Sequence, residues 1–131
     1  RTIGDLERVG DYAVNLTEYA ELLKNFNEKF TNDLLFEVEH LRETIASLYQ
    51  STMKAYMDQD FAALDDVNKY EDEVDDTVAT IEKLHLQRLM DGIYPASVGQ
   101  VYQEFASDTE RIADHFLNVA KSIRQLHVGE D

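Results

Sequence analysis

Residues 107–123, SDTERIADHFLNVAKSI, repeat residues 4–20, GDLERVGDYAVNLTEYA, at an offset of 103 and without a gap. Asp5, Glu7, Arg8, Asp11 and Asn15 recur as Asp108, Glu110, Arg111, Asp114 and Asn118. Val9, Val14 and Leu16 are matched by Ile112, Leu117 and Val119. Apolar positions repeat in any two amphipathic helices, so the polar identities carry the information. Glu7 with Asp11, and Glu110 with Asp114, place two carboxylates four residues apart on one side of a helix. Like charges at that spacing repel by about 0.2–0.5 kcal/mol. A chain that accepts this cost twice is expected to use the pair. The repeat also predicts two related units, with the chain starting near the end of the first.

Working outward, hydrophobic periodicity predicts an all-α bundle of four helices. The first runs over 3–26 with the stripe Leu6, Val9, Ala13, Leu16, Ala20 and Leu23, and the polar stretch 25–29 interrupts it. Thr31, Asn32 or Asp33 can cap the second. The second keeps an unbroken 4-3 rhythm of Leu34, Val38, Leu41, Ile45, Leu48, Thr52 and Ala55, the seam of a bundle. Asp60 is the expected cap of the third, which carries Leu64, Val67, Val74, Val78 and Ile81 to about Met90. Gly92 suits a helix C-terminus, and Pro95 the start of the fourth helix. That helix buries Phe105, Ile112, Phe116, Val119, Ile123 and Leu126. Short connections make the last three helices antiparallel neighbours.

Composition narrows the function. The 131 residues form one domain, without cysteine, so disulfides, zinc thiolates and cysteine nucleophiles are excluded. Acidic residues outnumber basic ones 27 to 12, for a formal charge of -15. That balance disfavours nucleic acid and anionic lipid and suits metal cations or basic proteins. No window approaches a membrane span, and Arg1 in place of a starting Met predicts a piece of a longer protein. No glycine-framed serine or glycine-rich phosphate loop is present.

Glu71 and Asp75 form another acid pair four apart, on the third helix. Counted from the break at Ile93, Asp75 and Glu110 stand at nearly one height, as do Glu71 and Asp114. Four carboxylates at one level suit a hard or borderline cation, with Asn118 available to orient a ligand. At about 100° per residue, however, Glu110 and Asp114 face away from Ile112 and the core. The site is therefore expected on the bundle surface, where a further element would complete it. The plainer reading is a solvated acidic face with local ion pairs, such as Arg111 with Asp108 or Asp114. Glu37-x-x-His40 and Glu82-x-x-His85 have di-iron spacing, but their heights differ by roughly 10 Å, too far for one centre. His40 and His85 are read as helix-flank residues, and His115 as a metal auxiliary beside Asp114.

GluArgValGlyAsp at 7–11 and GluArgIleAlaAsp at 110–114 resemble the E-R-I-G-D signature of the PhoU family. The resemblance covers nearly the whole chain. It implies a PhoU-like antiparallel bundle, with 1–29 as the last helix of a preceding repeat and 30–131 as a complete three-helix repeat. It implies that the family's E(D)xxxD motifs are Glu71 to Asp75, Glu110 to Asp114 and Glu7 to Asp11. These would bind divalent or ferric metal ions, iron or zinc foremost, on the bundle surface. Glu7 and Asp11 lack their second-helix partners, and Ala113 stands where the family prefers glycine. The function implied is regulatory, not enzymatic, in phosphate transport or signalling. A cytoplasmic domain of a sodium/phosphate cotransporter is the first expectation, with a stand-alone phosphate-uptake regulator or a metal-free interaction module as alternatives. Implied partners are the transporter's membrane domain or phosphate-signalling proteins at the inner face of the cell membrane. Unpaired apolar surface on the first helix predicts a homo-oligomer.

Overall fold

Three helices follow one another in the computed structural model: α1 (Glu28–Met57), α2 (Ala63–Met90) and α3 (Ala96–Glu130). The structure describes Gly4, Glu7, Leu16, Ala20, Glu21, Lys24, residues 28–92 and residues 96–130. The chain is all-helical among these residues, with no strand. The expected count of four helices is met by three in full. The predicted helix over 3–26 contributes six described positions, all helical. Leu16 and Ala20 are fully buried in the same core as the three helices. Lys24 reaches Glu39 of α1 at 3.9 Å. Leu6, Val9, Asp11, Ala13 and Leu23, and the side chain of Leu126, lie outside what is described.

The α1 seam is buried as its rhythm predicts: Leu34, Val38, Leu41, Ile45, Leu48, Thr52 and Ala55 are each no more than 3% exposed. Small residues (Thr44, Thr52 and Ala55 on α1, Ala63 and Thr77 on α2) let these two helices approach closely along their length. The buried hydroxyls of Thr44 and Thr52 donate to the carbonyls of His40 and Leu48, so neither is left unsatisfied. α3 brings Phe105, Ile112, Phe116, Val119 and Ile123 to the core. These bulkier side chains hold its axis further from the α1–α2 hairpin.

Helix boundaries depart from expectation where a capping residue has a better partner. α1 begins at Glu28, so Thr31, Asn32 and Asp33 lie inside it and none stands at its N-cap position. Asp33 instead meets Arg88 near the end of α2. Asp60 does not cap α2 with its side chain, which pairs with Lys54 at 3.7 Å. The helix is entered through backbone turns, the Ala63 amide donating to the Asp60 carbonyl, and Ala62 stands at the cap without a side-chain bond. Gln59 turns the α1–α2 connection with φ of 53°. At the far end of α2, Gly92 takes φ of 68° and its amide donates to the Leu89 carbonyl. Glycine pays no Cβ penalty in that left-handed conformation, as its place in the sequence predicts. Among the described residues no helix is long and apolar enough to cross a membrane.

Candidate functional site

The antiparallel return of α3 along α2 sets the level of the acids. Glu71, Val74 and Asp75 of α2 line a groove of about 60 Å³ with Ile112, Ala113, Phe116 and Leu117 of α3 and Leu48 of α1. The groove sets Glu71 and Asp75 level with residues 112–117 of α3. The groove exists because α3 stands off from the hairpin, leaving a slot that Ala113 is too small to fill.

Only one of the two acid pairs enters this groove. Glu110 and Asp114 are exposed, while Ile112 between them is 1% exposed, which agrees with the rotation argument. Neither lines the groove, and at about 100° per residue both turn away from its buried side. Asp75 is exposed at the rim, and Glu71 is half-buried. Glu7 is exposed and Asp11 lies outside the described residues. Asn118 is exposed.

Glu71 is electrostatically the least comfortable of these acids. Its Oε1 is buried and has no hydrogen-bond partner. Burial raises its carboxyl above the ordinary 4.5, Arg124 opposes the rise, and Asp75 and Asp72 add to it. Arg124 attracts Glu71 but donates no hydrogen bond to the stranded oxygen, and its Nη2 donates to Asn68 Oδ1 at 2.7 Å. A buried acceptor without a donor costs about 1–3 kcal/mol.

Carboxylate oxygens suit a hard or borderline cation, and the stranded Glu71 oxygen is a donor that the fold itself leaves unused. Convergence is weaker than the donor chemistry. Among the described residues no three His, Asp or Glu side chains gather so as to hold one ion. A local ion pair of the plainer kind is present, Arg111 Nη1 to Asp108 Oδ1 at 3.4 Å. Asp108 is itself only 8% exposed, a burial that its polar type gave no reason to expect.

The histidines do not form a di-iron pair. His40 Nε2 lies 2.9 Å from Glu73 Oε1, across the α1–α2 interface. His85, twelve residues further along α2, would stand about 18 Å away. Nor is His85 a flank residue: it is 1% exposed and stacks on Tyr102 of α3, ring centroids 3.7 Å apart and 9° from parallel. Its position was readable, because a further four-residue step from Ile81 lands on it. Burial lowers its pKa from the ordinary 6.5, and the charge of Arg88 adds to the effect. Burial likewise raises the Tyr102 hydroxyl, with Glu82 contributing.

The PhoU domain model matches residues 38–123, which take in most of α1, all of α2 and most of α3. The chain belongs to the PhoU domain family. It is similar to the phosphate-specific transport system accessory protein PhoU homolog 1 of Thermotoga maritima, 27% identical over 127 residues. That alignment covers 97% of this chain and 54% of the relative. The PhoU homolog of Clostridium acetobutylicum, of the same descriptive name, is 26% identical over 132 residues, covering 99% of this chain and 58% of the relative. A PhoU homolog of Deinococcus radiodurans is 22% identical over 131 residues, covering 98% and 59%. This PhoU-family chain thus spans little more than half the length of these curated relatives. No solved structure matches it significantly.

Proposed function

We propose that this chain is a regulatory unit of phosphate transport, acting through protein contact rather than catalysis. The observation that carries the proposal is the PhoU match over 38–123, which runs through all three helices. The relatives are named as accessory proteins of a phosphate-specific transport system. Those names favour a stand-alone accessory protein over the cytoplasmic tail of a sodium/phosphate cotransporter. The 103-residue offset of the two E-R-x-x-D strings supports a two-repeat organisation, with 1–29 closing one repeat and 30–131 forming the next. The partners would be a transporter's membrane domain or phosphate-signalling proteins, at the inner face of the cell membrane. Deleting the gene from its own organism should raise phosphate uptake in phosphate-rich medium, and the full-length protein should restore restraint. Uptake that is indifferent to both changes would overturn the reading.

Metal binding by Glu71, Asp75, Glu110 and Asp114 is a second reading, favoured by the stranded Glu71 oxygen. The metal would neutralise acids that otherwise repel one another. Adding ferric or zinc ions should then raise the melting temperature, and chelation should reverse the gain. The double variant Glu110→Ala, Asp114→Ala should lose most of the response. An unchanged melting curve would reduce these acids to a solvated face.

A further inference from the structure

We propose that the groove between α2 and α3 receives one lysine or arginine side chain from a basic partner segment, with Glu71 as its anchor. The inference rests on the regulatory reading, since it names the chemistry of the partner. It does not rest on metal, which would compete for the same carboxylate.

Three observations support it. First, the walls and the mouth of the groove differ in kind. Leu48, Val74, Ile112 and Phe116 make it apolar within, while Glu71 and Asp75 supply charge. Long basic side chains lay a methylene stem along apolar surface and present a charged head to acids. About 60 Å³ admits the end of one such side chain and excludes a helix.

Second, Glu71 Oε1 is buried without a donor. A single ammonium or guanidinium N–H would satisfy it with a charge-assisted bond, stronger than a neutral one. A metal ion asks for more ligands than these apolar walls provide, and no three acids converge among the described residues. A buried water asks for two to four polar partners, which the walls do not offer either. The nearby Arg124 donates to Asn68 and makes no hydrogen bond to this oxygen.

Third, the charge of -15 steers basic partners toward the chain and repels acidic ones. Leu117, about half exposed at the edge of the groove, gives such a segment an apolar rest.

The test is a titration of methyl-labelled protein with an amphipathic leucine/lysine peptide, followed by NMR, with a chelator present throughout. The methyl signals of Val74, Ile112 and Leu117 should shift together. Glu71→Gln should weaken binding about tenfold or more, as loss of a charged hydrogen bond implies. Glu110→Gln, outside the groove, should change it less than about twofold, as expected of a rim charge. Glu71→Gln removes a half-buried charge that burial, Asp75 and Asp72 all disfavour, so it should melt no lower than the parent. The same peptide with acetylated lysines should leave the three methyls unmoved. Equal weakening by Glu71→Gln and Glu110→Gln would mean diffuse attraction and overturn the proposal. So would groove methyls that stay unmoved when the peptide is added. If Glu71→Gln protein still restores phosphate restraint in cells but binds peptide normally, this inference alone falls. The regulatory reading falls only with the uptake experiment.

Discussion

Phe116→Ala is expected to destabilise the chain by about 3–5 kcal/mol. Phe116 is fully buried and first by volume among the fully buried side chains. It shares the buried face of α3 with Ile112, Val119 and Ala120, which stand three or four residues from it. Truncation removes the transfer energy of the ring and leaves a void that a close-packed core closes only in part. The void would also merge with the groove, since Phe116 forms part of its wall. Stabilities of single domains are typically about 5–15 kcal/mol, so the loss is a large fraction of the whole. Leu117→Ala, at the neighbouring but half-exposed position, should change stability by only about 0.5 kcal/mol. Urea unfolding of the two variants checks the contrast. A Phe116→Ala loss below about 1 kcal/mol would mean that α3 is not docked as described.

His85→Ala comes second, at about 2–4 kcal/mol near neutral pH, for a cavity and a lost ring stack. The more specific expectation concerns acid. The folded chain holds His85 neutral to a lower pH than the unfolded chain does. As pH falls below 6.5 the unfolded state takes up a proton that the native state refuses, so stability declines with acidification. Above 6.5 both states are neutral and the contribution is constant. Glu71 works in the opposite sense. Its raised carboxyl keeps a proton in the folded state after the unfolded state has lost it, so stability is lost as pH rises from 4.5 through the folded value. His85→Phe keeps a flat ring against Tyr102 and removes the proton site. Its melting temperature should fall less than the parent's between neutral and mildly acid pH, whereas Glu71→Gln should make that fall steeper. Parallel curves for parent and His85→Phe would show that the acid sensitivity lies elsewhere.

Much of this architecture was legible in the order of residues. The α1 seam was readable from Leu34 to Ala55 because each step of three or four returns to one face of the helix. The end of α2 was readable because Gly92 alone nearby adopts the left-handed conformation freely. Capping was not, since Asp33 and Asp60 are cap formers by type but were drawn to Arg88 and Lys54 by tertiary neighbours. His85 was misread because its polar character outweighed its position on the seam. For the carboxylates, counting from the turn put Glu71 and Asp75 beside residues 112–117, and helical rotation gave the exposure of Glu110 and Asp114. The groove itself was out of reach. Periodicity says which face of a helix turns inward but not how far apart two axes lie. That distance depends on the summed volumes of facing side chains.

The same difference in spacing divides the core into parts of unequal cohesion. α1 and α2 are joined by the short segment 58–62 and meet through small buried residues, with the hydroxyls of Thr44 and Thr52 satisfied within α1. The two helices stay close along their length, from the His40–Glu73 pair to the Asp33–Arg88 pair. α3 rests against this hairpin through a few large side chains, beside a slot on one flank. Its amide protons should therefore exchange with solvent through openings that leave the α1–α2 hairpin intact. A partner seated in the groove would tie down the least cohesive part of the molecule, and its binding would be felt along the length of α3.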